Sequence, residues 1–219
     1  MNKHYSKEIA EVVHNFLTKD DWNFEFQEEK GIFRFGLNLK GKIRNVQYIV
    51  DIHETDFNVY GLVPISAEHR DDNMMQQLAE FLHRANYGLR NGNFELDFRD
   101  GEIRYKTYIE CEGLDAPTFE MVRSGIYCTA AMFERYGEGI VKIIFADMDA
   151  ETAIAICEKS DRRNPFDEED ILEVVDDGYP IPDEAPAEDN SVIPDFDALD
   201  DDDDIADLLR KMREMREND

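Results

Sequence analysis

The sequence has few cysteines and no long apolar run. Cys111, Cys128 and Cys157 are odd in number and show no paired spacing, which predicts reduced thiols in a cytoplasmic protein and not a disulfide framework. No segment approaches ~18 uninterrupted apolar residues. The amphipathic stretch from Met1 to Thr18 also lacks the apolar region of a signal peptide. We therefore expect neither export nor membrane spanning.

Motifs that would identify a reaction are missing as well. The five histidines have neither H-x-x-x-H nor H-E-x-x-H spacing, so no metal site is predicted. Neither a G-x-G-x-x-G fingerprint nor a P-loop occurs. Glu110, Glu112 and Asp115 cluster and could perform acid–base chemistry, but a solvated strand end and a helix cap account for them. Cys128 lies among apolar residues and is expected to be a buried thiol. We expect no enzyme activity and no cofactor.

Basic residues are scarce, and acidic residues are unevenly spread. The chain has 24 Lys and Arg against 51 Asp and Glu, and residues 160–219 alone hold 23 acids, 6 bases and five of the seven prolines. This shift predicts a folded domain over residues 1–159, an acidic disordered segment over 160–202 and a short amphipathic helix over 203–217. The acidity argues against nucleic acid or anionic membranes as partners.

Strand periodicity is clearest between Asn93 and Cys111. Apolar and polar residues alternate on both sides of Asp100-Gly101, a dipeptide typical of a two-residue type I′ turn. Such a turn fixes the register of the hairpin and brings opposite charges together across the strands. The predicted pairs are Arg99–Glu102, Asp97–Arg104 and Glu95–Lys106 on the polar face, and Phe98–Ile103, Leu96–Tyr105 and Phe94–Thr107 on the apolar face.

The rest of the domain contains four further strands and several helices. Four alternating segments lie between Trp22 and Val63, the last of them closed by Pro64. The predicted helix caps are Ser6, Asp71, Asp115 and Asp149. The helix after Asp115 is expected to break or bend at Gly137-Glu138-Gly139. The order helix, four strands, helix, two strands, helices predicts an α+β fold with an antiparallel sheet covered on one face.

This pattern resembles the YbjN family of bacterial proteins over about residues 5–147. The residues that carry the resemblance are Leu78-Ala-Glu-Phe-Leu82, Asn86, the strand from Gly92 to Phe98, Asp100-Gly-Glu-Ile103, Glu112-Gly113 and the helix from Thr118 to Phe133. The resemblance implies a fold similar to the type III secretion chaperones, which are small acidic α+β proteins that often dimerise and bind extended client segments. It implies no catalytic residue.

The C-terminal 60 residues contain one further pattern. The aspartates 200–204 lack the alternating ligand spacing of a calcium-binding loop, so we interpret them as solvated charge. The residues after them place apolar side chains at helical spacing, with bases in the C-terminal half. These predicted partner-binding residues are Ile205, Leu208, Leu209, Met212 and Met215. Such a short helix is marginal alone, and it could dock on its own domain, fold against a partner or remain undocked. A smaller apolar island, Ile171, Leu172, Val174 and Val175, is a second possible anchor.

Two functions follow as hypotheses. The first is a non-enzymatic, chaperone-like domain that holds apolar segments of a protein or peptide client, or of a second copy in a homodimer, while the acidic tail solubilises the domain or covers its binding surface. The alternative is a regulatory or stress-response factor that contacts its partner through the acidic tail.

Overall fold

The computed structural model describes residues 4–159, which form an α+β domain as the sequence predicts. The six strands make one antiparallel sheet, and the four helices supply the other layer. The elements in chain order are α1 (Lys7–Lys19), β1 (Phe24–Gln27), β2 (Ile32–Asn38), β3 (Asn45–Ile52), β4 (Asp56–Ser66), α2 (Asp72–Asn86), β5 (Asn93–Leu96), β6 (Glu102–Glu110), α3 (Phe119–Ala146) and α4 (Ala150–Lys159).

The strand order in the sheet is β1-β2-β3-β4-β6-β5. Two four-residue strands, β1 and β5, therefore form the edges, and the long strand β4 lies at the centre. Pro64 does not close β4, because the strand continues to Ser66. The β4–β6 register shifts between Leu62 and Ser66, and the pairing with β3 ends at Leu62. Pro64 thus lies in an irregular stretch, where a missing N–H is tolerated.

The predicted hairpin is present, but its predicted register is wrong. Phe94 pairs with Tyr105 and Glu95 pairs with Arg104, which is two residues from the predicted alignment. Because the shift is even, every residue keeps its face, and the buried side of the hairpin is the one that the sequence predicts. Phe98 loses its strand partner and becomes part of the loop.

The reason for the shift is the loop between Asp97 and Glu102. It contains four residues instead of two, since the Asp97 N–H donates to the Glu102 carbonyl (3.0 Å) and the Gly101 N–H donates to the Asp97 carbonyl (2.8 Å). Gly101 has φ +75° and packs so closely on Ala67 that a Cβ would lie 2.1 Å from the Ala67 carbonyl oxygen. Only a glycine can lie this close to the Ala67 backbone with a positive φ. The chain therefore turns at Gly101 in a four-residue loop and not in a two-residue one.

Three of the four predicted helix caps are confirmed. Ser6 accepts a hydrogen bond from the Ile9 N–H at 3.1 Å, Asp71 from the Met74 N–H at 3.0 Å and Asp149 from the Thr152 N–H at 2.8 Å. The fourth prediction is wrong, because Thr118 and not Asp115 caps α3.

Helix α3 is continuous through Gly137 and Gly139, where the sequence predicts a break. A Cβ at Gly139 would lie 2.4 Å from the Phe81 ring, and one at Gly137 would lie 3.2 Å from Ile43. These glycines therefore allow neighbouring side chains to approach the helix, and burial of the surrounding helix surface outweighs their low helix propensity.

The main core lies between the helices and one face of the sheet. The Tyr48 hydroxyl donates to the Ile126 carbonyl of α3 at 3.0 Å. At Gly61 an added Cβ would lie 2.2 Å from the Thr129 methyl group, so α3 crosses close to the centre of β4. The side chains of Tyr48, Val59 and Thr107 define this helix-covered face.

Candidate protein-binding face of the sheet

The opposite face of the sheet carries the alternate residues of each strand. We call it the helix-free face, because none of the helices in residues 4–159 packs on it. Its central row runs across four strands, because Arg34 pairs with Ile49, Ile49 with Tyr60 and Tyr60 with Lys106. The next row joins Gln47, Leu62 and Arg104 in the same way. Successive side chains of a strand point to opposite faces, so these residues point away from α3.

The centre of the helix-free face is nevertheless buried. Ile49 is 3% exposed and Tyr60 is 1% exposed, although neither belongs to the helix-side core. Ile32, 6% exposed, is the third buried hydrophobic residue outside that core. The sequence predicts a sheet covered on one face, and the described helices do cover only one face. It does not predict that Ile49 and Tyr60 are buried on the other face.

Basic side chains surround Tyr60. The Arg104 guanidinium carbon lies 4.8 Å from the Tyr60 ring centroid, and the Lys106 ammonium nitrogen lies 5.5 Å from it. Both distances are in the range of cation–π attraction. Arg104 also pairs with Glu95, with 2.5 Å between Nε and Oε2. The aromatic ring therefore lies under a layer of positive charge.

Arg34 extends this basic layer across the sheet. Burial lowers the pKa of its guanidinium group, and the charge of the neighbouring Glu25 partly offsets that effect. Four carboxylates of this face lie at its margins, with Glu25 on the edge strand β1, Glu95 on the edge strand β5, and Asp56 and Glu110 at one end of the sheet. Asp51 lies inside the face, on β3, and is buried.

A polar row flanks the central one. Asp51 pairs with Asn58 across β3 and β4, and the His53 Nε2 lies 3.1 Å from the Asp51 carboxylate. Asn58 is 5% exposed, yet its side-chain oxygen has no hydrogen-bond partner among residues 4–159, and the same holds for the side-chain oxygen of Gln27. Buried acceptors of this kind normally have a donor, so the helix-free face has unused capacity to accept hydrogen bonds.

A shallow groove of about 530 Å³ lies elsewhere, between α2 and the tip of the hairpin. Phe98 lines it and is 64% exposed, because the four-residue loop places this side chain outside the strand pairing. The other lining residues are His69, Asp72, Met75, Gln76, Ala79 and Glu80. Four of these seven lining residues are polar or charged, and we regard the groove as a weaker candidate than the helix-free face.

The residues considered for catalysis lie at and just after the end of β6 and in α3. Tyr108 donates a hydrogen bond to Glu110, which lowers the pKa of that carboxyl group. Glu112 and Asp115 are exposed. Cys111, Cys128 and Cys157 are buried free thiols, and burial raises the pKa of Cys111 to about 11. Within the described part of the chain, no group of three or more His, Cys, Asp or Glu residues is placed to hold a metal ion.

The predicted partner-binding residues Ile205, Leu208, Leu209, Met212 and Met215 lie outside the described residues, as does the apolar island of residues 171–175. Sequence reasoning missed Ile49, Tyr60 and the bases around them. One signal was available, since residues 48–52 of β3 and 57–61 of β4 are mostly apolar without strict alternation, and all of them are buried. Such runs are typical of strands with both faces covered.

Comparison with known proteins places the domain in a family. No helix in residues 4–159 has the length and apolar character needed to cross a membrane. No curated protein matches the chain. A family model described as "putative bacterial sensory transduction regulator" matches residues 10–141, which is more than half of the chain and covers most of the described fold. The chain belongs to the YbjN family.

Proposed function

We propose that this protein is a non-enzymatic, chaperone-like regulator whose helix-free face holds an apolar polypeptide segment. The observation that carries the proposal is the near-complete burial of Ile49 and Tyr60 on a face that the four described helices do not cover. Because none of the described helices covers these side chains, we infer that a further polypeptide segment lies against them.

The chemistry of the helix-free face fits an extended peptide better than a small molecule. The face is broad and combines Ile49, Tyr60 and Leu62 with three bases. A docked peptide would supply apolar side chains to the centre, and its backbone N–H groups could satisfy the Asn58 oxygen. A formal net charge of −27 disfavours nucleic acid as the occupant.

The test uses the chain shortened by deletion of residues 161–219, after circular dichroism and thermal unfolding have shown that it is folded. We expect this domain to bind the apolar dye bis-ANS, and fluorescein-labelled apolar peptides with acidic flanks, more strongly than the full chain.

Lys106→Glu in the shortened chain should weaken peptide binding several-fold by placing a negative charge beside Tyr60. Lys7→Glu, an exposed change on α1, is the matched control. Equal peptide binding by the K106E and K7E variants would contradict the proposal.

The family description is that of a regulator. We propose as the second candidate a regulatory or stress-response factor that contacts its partner through the acidic C-terminal residues. In that case residues 160–219 alone should retain the partner in a pull-down, and the domain alone should not. Retention by the domain alone would favour the helix-free face as the contact. A homodimer formed through this face would instead appear as concentration-dependent self-association in analytical ultracentrifugation.

A further inference from the structure

We infer that the chain's own residues 167–175 occupy the helix-free face and compete there with other polypeptides. This inference rests on the proposed function, because it names the regulator of the same face. The segment reads Asp-Glu-Glu-Asp-Ile-Leu-Glu-Val-Val. It combines four apolar residues with five acids, and it follows the end of α4 closely.

The first support is burial. A tyrosine at the centre of a sheet face that none of the four described helices covers would ordinarily keep part of its ring in contact with water. Tyr60 is nevertheless 1% exposed and Ile49 is 3% exposed. Arg104 and Lys106 cover part of the Tyr60 ring. Both belong to β6, whereas Ile49 lies on β3 beside Arg34 of β2. Further apolar surface is needed to cover both residues.

The second support is chemical complementarity. Ile171, Leu172, Val174 and Val175 are the apolar residues of the segment, and Glu173 lies between them. On the helix-free face, Ile49 and Tyr60 lie between Arg34 at one end of the central row and Lys106 at the other. An apolar strand that carries carboxylates could therefore contact Ile49, Tyr60 and Leu62 and place its acids near the bases.

The third support is reach. Helix α4 ends at Lys159, and twelve residues lead from there to Ile171. Twelve extended residues span up to about 40 Å, whereas a six-stranded sheet is only about 24 Å wide. The linking segment is thus long enough to pass round an edge of the sheet from the helix side.

A second copy of the domain fits this face less well. Pairing two identical helix-free faces would oppose Arg34, Arg104 and Lys106 of one copy to the same bases of the other. Like charges brought together in an interface are unfavourable, whereas residues 167–175 carry five acids and no base.

Photocrosslinking of the full chain tests the occupant directly. The photoreactive residue p-benzoylphenylalanine replaces Gln47, which is exposed on the helix-free face, or Glu11, which is exposed on α1 and serves as the control. After irradiation, mass spectrometry of the digested monomer should find residues 167–175 joined to position 47 and not to position 11. A crosslink to a second copy, a crosslink to another part of the chain or no crosslink at position 47 would each overturn the inference.

Hydroxyl-radical footprinting of Tyr60 provides an independent measurement. Leu172→Asp combined with Val174→Asp should raise the rate of Tyr60 oxidation in the full chain at least threefold. Val192→Asp combined with Ile193→Asp makes the same change of polarity outside the segment and should leave that rate unchanged. An equal rate in the two double variants would overturn the inference.

The two proposals fail in different ways. If residues 167–175 are not the occupant but the shortened domain binds apolar peptides in a Lys106-dependent manner, the proposed function stands and only the inferred regulation is wrong. If the shortened domain binds none of those peptides while the crosslink to residues 167–175 is found, the face is a structural contact and not a client site.

Discussion

The side-chain amide of Asn86 pairs with both backbone groups of Phe94. Its nitrogen donates to the Phe94 carbonyl at 2.9 Å, and its oxygen accepts from the Phe94 N–H at 2.7 Å. Asn86 is the last residue of α2, and Phe94 lies in the edge strand β5. The amide therefore takes the place of a neighbouring strand at this residue and blocks an edge that another chain could otherwise pair with.

Replacement of Asn86 by Ala should therefore destabilise the domain and increase self-association. Loss of two hydrogen bonds to a partly buried backbone should lower the free energy of unfolding by about 1–3 kcal/mol. Urea denaturation gives the stability, and analytical ultracentrifugation gives the association state.

Asn23→Ala is the control for this change, since Asn23 is exposed near the opposite edge of the sheet. It should alter neither measurement. If N86A unfolds at the same urea concentration as N23A and stays equally monomeric, the hydrogen bonds between Asn86 and Phe94 neither stabilise the domain nor prevent pairing at the β5 edge.

Gly139→Ala should destabilise the domain although alanine has the higher helix propensity. In a helix with free space around this position, the change would stabilise by about 1 kcal/mol. Here the new methyl group would lie 2.4 Å from the Phe81 ring, and the repacking should cost about 1–3 kcal/mol. Gly88→Ala is the control, because nothing lies within 4 Å of a Cβ at Gly88. A more stable G139A variant would indicate that α3 bends away from Phe81.

The hairpin illustrates how far the sequence could predict the fold. Alternation alone correctly assigns Phe94 and Tyr105 to the buried face, because a face depends only on the parity of each position. The register depends on the length of the loop. Asp100-Gly101 suggests a two-residue turn when the sequence is considered alone, but in the fold Gly101 packs on Ala67 and the loop has four residues. Local signals therefore predicted the strands, and a contact distant in sequence determined their alignment.

The candidate site was harder to predict for a related reason. Tyr60 and Arg104 are far apart in sequence, because helix α2 and strand β5 come between β4 and β6 in the chain. They meet because β4 and β6 are neighbours in the sheet. The strand order could not be read from the residues, so the basic and aromatic groups could not be assembled into one surface. The predicted break at Gly137 and Gly139 in α3 is wrong for the same reason. The side chains that these glycines accommodate, Ile43 and Phe81, belong to other parts of the chain.

The three cysteines should react slowly with thiol reagents in the folded protein. The thiolate is the reactive form, and burial raises the pKa of Cys111 to about 11 and also raises the pKa values of Cys128 and Cys157. At pH 8, Ellman's reagent should modify all three rapidly in guanidinium chloride and none of them rapidly in buffer. Ser124→Cys, exposed on α3, should add one fast-reacting thiol. A fast thiol in the unmodified folded protein would contradict the burial of these side chains.

The hairpin loop should contribute stability that depends on pH through Asp97. The Arg99 side chain donates to this carboxylate, with 2.8 Å between Nη2 and Oδ2, and this hydrogen bond is the main reason that the pKa of Asp97 is lowered. A lowered folded-state pKa means that the contribution is complete above the unfolded pKa of about 3.9. It is then lost as the pH falls through the folded value. Asp97→Asn should therefore reduce the free energy of unfolding at pH 7, and this difference should shrink toward pH 2. If D97N lowers the free energy of unfolding by the same amount at pH 7 and pH 2, the charge of Asp97 does not stabilise the loop.

Arg99→Gln should raise the pKa of Asp97, because it removes the side chain that donates to this carboxylate. NMR titration of Asp97 measures this change.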